Sequence, residues 1–253
     1  MPSPSIARPL ILAALVLLSA CAARPPANDP EALAEYRENN DPIEPANRVF
    51  YRVNDTLDTY ILAPVARGYR YAVPGVVRRP IHNVLANLSA PVIFANDVLQ
   101  TKPRRAGDTL MRFLINSTAG VGGLFDVATG LGYPEHDTDF GVTLAVWGVG
   151  DGPFLFLPFL GPSNPRDAVG FAGQTALNPL TYATFGGVNT LRATSTAIGL
   201  VDARERVLDP VDNVKKSALD PYATFRSLYR QNRQSTIDTT RNDNRATVPA
   251  WFR

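Results

Sequence analysis

The amino-acid sequence predicts an all-α protein whose main irregularity is one apolar hairpin. Apolar residues recur at helical spacing between positions 46 and 61, and the opposite face of this segment is polar. Proline repeatedly stands where a helix would begin, and two Asp-Pro pairs, at 209–210 and 220–221, combine a helix cap with a first-turn proline. We therefore predict a mostly helical domain with essentially no sheet.

The helices can be placed in order from these signals. The first begins near Asp41, which suits an N-cap, and Pro64 should kink or end it. Further helices are expected at residues 74–88, at residues 91–100 and after Pro103, since each starts at or just after a proline. We predict that the domain covers residues 41–229. Residues 230–253 are polar, and they are predicted to form a disordered tail.

The N-terminal region resembles a lipoprotein signal. An apolar run at residues 10–18 is too short to span a bilayer and has the length of a signal-peptide core. It ends in Leu-Ser-Ala-Cys, which is similar to the bacterial lipobox, where the thiol receives a diacylglycerol and cleavage falls just before it. The cysteine is Cys21, the only one in the chain. We predict a signal peptide at residues 1–20 and a lipidated tether at residues 21–40.

Two further inferences follow from Cys21. The alternative to lipidation is a free, buried cysteine in an uncleaved helix. Lipidation explains a single cysteine better, because an oxidising periplasm favours disulfides or no free thiol. Ala22 follows the cysteine, and a residue of this kind permits export to the outer membrane. The predicted location is therefore the periplasmic face of the outer membrane, with the protein held by its lipid.

The net charge gives little support for nucleic-acid binding, but the distribution of charge along the chain indicates one basic region. The formal net charge is only +2. Eight basic residues lie between positions 67 and 112, opposed only by Asp97 and Asp108. Any single arginine there could simply be solvated, but as a group on amphipathic helices of a membrane-anchored protein they fit phosphate headgroups. The candidate headgroup contacts are Arg78, Arg79, Arg104 and Arg105.

Residues 142–160 (VTLAVWGVGDGPFLFLPFL) form the most unusual stretch, with Asp151 as their one charge. The length would suit a transmembrane helix, but three glycines and two prolines would break it repeatedly. We predict a short helix to about Trp147, then a turn, then an apolar hairpin or re-entrant segment. The alternative is a loop in the protein core.

The sequence favours a protein that is not an enzyme. The chain has two histidines, His82 and His136, so a metal site with several imidazoles is not expected. Asp137 and Asp139 could act as an acid–base pair, but acidic residues that alternate before a helix more often serve as helix caps. The glycine-rich segment at residues 116–123 lacks the Gly-Lys-Ser/Thr of a phosphate loop. No catalytic residues, metal or cofactor are therefore predicted.

Four blocks in this order carry a resemblance to a known family: DPIEPANRVFYRVNDTLD, VRRPIHNVLANLSAPVIFANDVLQ, RFLINSTAGVGGLFDVAT and DFGVTLAVWGVGDGPFLFLPFLGPSNPRDAVG. They resemble the MlaA (VacJ-like) lipoproteins of Gram-negative outer membranes, from about Asp41 to Tyr229. One departure is Ala145, where a glycine is common. The resemblance implies a ring-like bundle of amphipathic helices in the inner leaflet of the outer membrane, with a central amphipathic channel.

The resemblance also implies a function. Such proteins remove misplaced phospholipids from the outer leaflet and pass them to a periplasmic carrier, with trimeric porins as membrane partners. The alternatives are an envelope lipid hydrolase and a structural lipoprotein adaptor that transports nothing. The candidate residues for a lipid passage or gate are Trp147, Gly148, Gly150, Gly152, Phe154, Leu155, Phe156 and Phe159.

Overall fold

The computed structural model describes residue 31 and residues 39–243. Helices make up 73% of the structure and strands 3%, which confirms the all-α prediction. Cys21, the predicted signal peptide and most of the tether lie outside the described residues, as do residues 244–253. The helices are α1 (Glu44–Leu57), α2 (Ala63–Ala72), α3 (Gly75–Leu99), α4 (Pro103–Thr118), α5 (Val127–Gly130), α6 (Phe140–Val146), α7 (Pro165–Leu177), α8 (Pro179–Tyr182), α9 (Val188–Arg206), α10 (Leu208–Ser217) and α11 (Pro221–Arg241).

Helices α1 and α2 are continuous through a π-helical segment, Asp58–Leu62. Pro64 lies just beyond this segment, in the first turn of α2. Proline has no N–H to donate, and its ring crowds the carbonyl four residues earlier. The wider π turn lets the chain absorb that crowding without ending the helix. The sequence correctly located a disturbance at Pro64, but the helical path continues past it.

Helix α3 is a single helix and not the two that were predicted, although it contains Pro80 and Pro91. Each internal proline removes one backbone hydrogen bond and costs roughly 3 kcal/mol in an isolated helix. The long antiparallel packing of α3 against α4 is the most extensive helix contact in the described structure. Tertiary packing supplies most of the stability of helices in proteins, so it can outweigh these local losses.

The apolar hairpin is present where the sequence predicted it. Helix α6 ends at Val146, and Gly148 follows with a φ of 93°. Strands β1 (Leu155–Leu157) and β2 (Gly161–Ser163) then pair antiparallel.

Two asparagines of α1 hold this hairpin. Asn47 donates to the Phe154 carbonyl at 3.0 Å and accepts from the Phe156 N–H at 2.9 Å. About two turns later, Asn54 donates to the Leu157 carbonyl and accepts from the Phe159 N–H, both at 2.8 Å. The polar face of α1 therefore binds hairpin backbone and is not simply a solvated surface.

The predicted disordered tail is wrong over its first part. Helix α11 continues through residue 230 to Arg241. Ile237 is 3% exposed and packs against Val142 and Ala145 of α6, and Thr240 is fully buried. The sequence of this segment is polar, but the one apolar side chain of Ile237 packs it against α6.

Within the described residues, no helix combines the length and the apolar character needed to cross a bilayer.

Candidate functional site

A polar cavity of about 230 Å³ lies between α3, α4, α9 and the loop before α6, and we name it the histidine cavity. Both histidines of the chain line it. Helix α3 contributes His82, Asn83 and Asn87, which recur at helical spacing on one face. The charged residues of its wall are Arg112, Asp126, Glu135, Asp137, Asp202 and Arg206.

A buried polar cluster fixes the wall that carries His136. Asp97 is fully buried, and its Oδ2 lies 2.9 Å from His136 Nε2. Thr109 Oγ1 donates to the same carboxylate at 2.7 Å, and Arg105 Nε lies 3.5 Å from Asp97 Oδ1. A fully desolvated carboxylate is tolerable only with such partners. The cluster therefore ties the loop before α6 to α3 and α4.

Arg105 is a correction to the predicted headgroup contacts. It is 2% exposed and is also 3.4 Å from Asp243, so it stabilises the core and does not present its charge at the surface. Arg104, the next residue, is exposed on α4. The two neighbours point to different environments because successive residues on a helix are separated by about 100°.

A second cavity, of about 480 Å³, adjoins the first, and we name it the arginine cavity. The two cavities share the lining residues His82, Asn83, Asp126, Asp202 and Arg206. The arginine cavity adds Arg78 and Arg79, two of the predicted headgroup contacts. We name the two adjoining cavities, taken together, the polar passage.

Arg78 and Arg79 differ in whether their charge is already paired within the protein. Arg78 is paired with Glu205, whose side chain is 9% exposed. Glu205 also accepts from Arg70 Nε at 2.7 Å. Arg79 is exposed and makes no ion pair with the described residues. Of the four arginines predicted to contact headgroups, the structure thus places Arg79 with its charge open to a cavity.

A third cavity is an apolar groove of about 640 Å³, which begins at the hairpin tip. Phe159 and Leu160 form the tip and are 80% and 55% exposed. The groove continues along the π segment and along α9 and α10. Its other apolar residues include Ile61, Leu62, Phe156, Leu200, Val207 and Val211.

Charged residues at the edge of the apolar groove pair with one another. Arg204 Nε is 2.5 Å from Asp58 Oδ1, and Lys215 Nζ is 2.7 Å from Asp58 Oδ2. Burial raises the pKa of the Asp58 carboxyl, but hydrogen bonds from Arg204 and Lys215 outweigh it, and the pKa lies below the ordinary value. The carboxylate therefore stays ionised and paired, which leaves the apolar floor of the groove uninterrupted.

The hairpin residues predicted to line a lipid passage divide between two places. Phe154 is 3% exposed in an aromatic cluster with Tyr222 and Tyr229, so it belongs to the core. Phe156 is also mostly core but forms part of the groove, and Phe159 lies at the tip. Leu155 is partly exposed on β1. The hairpin thus has Phe154 buried in the core and its tip, Phe159 and Leu160, at the surface.

The predicted gating residues do not line the apolar groove. Gly148 and Gly150 line a different, polar groove of about 880 Å³ along α11. Trp147 is 54% exposed and donates from Nε1 to the Leu99 carbonyl at 2.9 Å. Gly152, with a φ of 72°, receives a hydrogen bond on its carbonyl from Asn40.

Sequence reasoning missed the residues that build the polar passage. His82 and His136 were considered only as metal ligands, and Asp202 was not singled out. A signal was present in α3, where His82, Asn83 and Asn87 place polar groups close together among apolar residues. The described residues contain no group of acidic, histidine or cysteine side chains suited to a metal.

The distribution of polarity is unusual for a water-soluble domain. Among the described residues, eighteen polar or charged residues are buried, against fourteen hydrophobic ones, and thirty large hydrophobic side chains are exposed. Large exposed apolar areas mark contact with a membrane or a partner. These features define the class of protein: an all-α body with polar cavities and many apolar side chains at its surface.

Comparison with known proteins identifies the family. A sequence model of the MlaA lipoprotein family matches residues 39–236, and the chain belongs to this family. It is 37% identical to an uncharacterised protein of Rickettsia bellii over 81% of this chain and 80% of the relative. It is 32% identical to the "Intermembrane phospholipid transport system lipoprotein MlaA" of Haemophilus influenzae, over 88% of each chain.

The fold is also that of a solved structure. A chain described under "Structural basis for maintenance of bacterial outer membrane lipid asymmetry" superposes with a TM-score of 0.67 at 33% identity. The match covers 78% of this chain and 98% of the solved one.

Proposed function

We propose that this protein removes misplaced phospholipids from the outer leaflet of the outer membrane and passes them to a periplasmic carrier. Its relatives in Haemophilus influenzae and Escherichia coli are named as lipoproteins of intermembrane phospholipid transport. We further propose that it is anchored by lipidated Cys21 at the periplasmic face, as a ring of helices in the inner leaflet, with a trimeric porin as its membrane partner.

The observation that carries this proposal is the pairing of a polar passage with a separate apolar groove in one helical body. A phospholipid that crosses a bilayer unaided must bring its headgroup through hydrocarbon, which costs many kcal/mol for ionised groups. The histidine and arginine cavities offer the headgroup hydrogen-bonding and charged partners. The groove beside Phe159 and Leu160 offers apolar surface to the acyl chains.

The transfer needs no bond to be made or broken in the lipid. The proposed role of this chain is to lower the free-energy barrier for lipid movement. It does so by offering polar surface to the headgroup and apolar surface to the acyl chains. We therefore propose that the protein is not an enzyme. A hydrolase would instead release fatty acid from the same substrate, so one assay separates the two functions.

The experiment places a charge in the apolar groove. Leu160→Glu should weaken acyl-chain binding, because a charge at hydrocarbon depth costs roughly 2–4 kcal/mol. In cells that lack the native protein, this variant at normal abundance should leave phospholipid accumulated in the outer leaflet. Surface-exposed phospholipid is measured by chemical labelling of intact cells.

Leu219→Glu is the matched control, because Leu219 is fully exposed and does not line the groove. It should restore normal lipid asymmetry. Equal restoration by both variants would remove the groove from the mechanism. Fatty acid released from labelled phospholipid by purified protein would support the hydrolase instead.

A further inference from the structure

We propose that the histidine cavity distinguishes phospholipids by their headgroup, and that it binds a primary ammonium of the phosphatidylethanolamine type. This inference rests on the proposed transport function. Three features support it: two exposed carboxylates in the cavity wall with at most one distant ion pair, a buried imidazole nitrogen without a partner among the described residues, and the overall charge balance of the polar passage.

The first feature is the pair of acidic residues on either side of His136. Glu135 and Asp137 both line the histidine cavity and are exposed there. Glu135 lies 3.9 Å from Arg112, at the outer limit of an ion pair, and the Asp137 carboxylate makes no ion pair with the described residues. These two carboxylates are available to a cation that enters the cavity.

The other acidic residues of the cavity are already occupied. Asp126 accepts hydrogen bonds from Thr129, Asn116 and Arg112. Asp202 Oδ2 lies 3.0 Å from His82 Nδ1. The negative charge that remains for a ligand is therefore concentrated on the short loop that carries His136.

The second feature is His136 itself. Its side chain is 8% exposed, and Nε2 lies within 3.1 Å of both Asp97 oxygens. An ionised carboxylate only accepts, so Nε2 carries the hydrogen, and in the neutral ring Nδ1 then bears a lone pair. Nδ1 is buried and has no hydrogen-bond partner among the described residues. It needs a donor, which an ammonium supplies and a phosphate oxygen does not.

Besides the imidazole, the Asp97 carboxylate has a guanidinium partner in Arg105. A buried acceptor without a hydrogen-bond partner raises the free energy of the protein, and this free energy is recovered when a donor binds to it.

The third feature is the charge balance along the passage. A passage selective for anionic lipids would carry an excess of positive charge, whereas here the two signs are nearly matched, as a zwitterion requires. Arg79 and Arg206 lie in the arginine cavity, where they can meet the phosphate of the same headgroup. The charged groups of the passage are the carboxylates Asp126, Glu135, Asp137, Asp202 and Glu205 and the guanidinium groups Arg78, Arg79, Arg112 and Arg206.

The test is competitive lipid binding by the purified, full-length lipoprotein in nanodiscs. The probe is an equimolar mixture of phosphatidylethanolamine, phosphatidylcholine and phosphatidylglycerol, and bound lipid is quantified by mass spectrometry. Phosphatidylcholine carries the same charges as phosphatidylethanolamine but has no N–H to donate. We expect phosphatidylethanolamine to be enriched over both other lipids.

The variant Glu135→Gln, Asp137→Asn should reduce the ratio of bound phosphatidylethanolamine to phosphatidylglycerol by about tenfold, since charge-assisted hydrogen bonds are lost. Its binding of phosphatidylglycerol should not fall. Asp151→Asn, an acidic residue outside both cavities, should keep the native ratio.

Each other outcome is informative. An unchanged ratio in the double variant would overturn the proposal. Equal binding of phosphatidylethanolamine and phosphatidylcholine by the native protein would overturn the role of His136 Nδ1 as acceptor. Failure to bind any of the three lipids would instead count against the transport function itself, so the two proposals fail in different ways.

Discussion

Asp167 connects the start of α7 to α11 through partly buried hydrogen bonds. It lies in the first turn of α7, where its N–H donates to Asn164 Oδ1 at 2.8 Å. Its carboxylate accepts from Arg233 Nη2 at 2.8 Å and from the Tyr229 hydroxyl at 2.5 Å. Burial raises the pKa of Asp167, but the bonds from Arg233 and Tyr229 outweigh it, and the pKa lies below the ordinary value.

This lowered pKa predicts how stability depends on pH. The carboxylate stabilises the fold at all pH values above about 3.9, the pKa of aspartate in an unfolded chain, and this contribution is lost as the pH falls through the lower folded value. Asp167→Asn should destabilise the protein by about 3 kcal/mol at pH 7, because it leaves Arg233 buried with less compensation. The difference from the native protein should shrink as the pH approaches 2. Denaturation of detergent-solubilised protein across pH measures this.

Asp151→Asn serves as the control, because Asp151 is exposed. It should leave the free energy of unfolding within about 0.5 kcal/mol of the native value. A gap between Asp167→Asn and the native protein that stays constant down to pH 2 would contradict the electrostatic role of Asp167.

At the scale of elements, the contact between α6 and α7 depends on two glycines. A Cβ atom at Gly170 would lie 2.5 Å from the backbone nitrogen of Gly141 and 2.6 Å from its Cα. Real Cβ atoms do not approach backbone this closely, so the helices touch only because both positions lack a side chain. The same α6 is held by Ile237 of α11, which makes this pair of short helices a junction for the C-terminal half.

Gly170→Ala should therefore destabilise the protein by about 1–3 kcal/mol, through overpacking of backbone against backbone. The matched control is Gly68→Ala in α2, where an added Cβ meets nothing within 4 Å. Because alanine is the better helix former, this control should be neutral or more stable by up to about 1 kcal/mol. Thermal unfolding of the two variants side by side tests the sign of each effect, and a neutral Gly170→Ala would refute the close contact.

At the scale of the whole molecule, the exposed apolar surface and the predicted lipid anchor both favour attachment to the membrane. The described residues contain no helix able to span a bilayer, yet thirty large hydrophobic side chains are exposed. A body of this kind gains from contact with the apolar part of one leaflet, whereas stable anchoring takes two or more acyl chains.

We predict that Cys21→Ala blocks lipoprotein processing and releases the protein from stable attachment to the outer membrane. The physical reason is the loss of about 0.8 kcal/mol for each methylene that the anchor would bury. Fractionation of the envelope and mass spectrometry of the mature N-terminus measure both effects. Ala23→Ser, two residues away, should be processed and anchored normally. An unmodified residue 21 in the native envelope would contradict the prediction.

What the sequence by itself determined was local. Helical spacing between residues 46 and 61, the helix starts at Pro103 and Pro221, and the breaks after Trp147 all correspond to the observed elements. Each of these signals depends on the conformational preferences of a few neighbouring residues, which the sequence contains in full. The order of four motif blocks also identified the family.

What only the tertiary structure decided was which distant residues meet. The prolines of α3 do not break it because α4 packs along it, and Arg105 is buried because Asp97 and Asp243 lie against it. The polar passage brings together His82, His136 and Asp202, which come from three separate segments. No local sequence pattern predicts such long-range contacts, because the energies of burial and ion pairing depend on how whole helices pack. This packing determines whether a given arginine or histidine faces a cavity or the core.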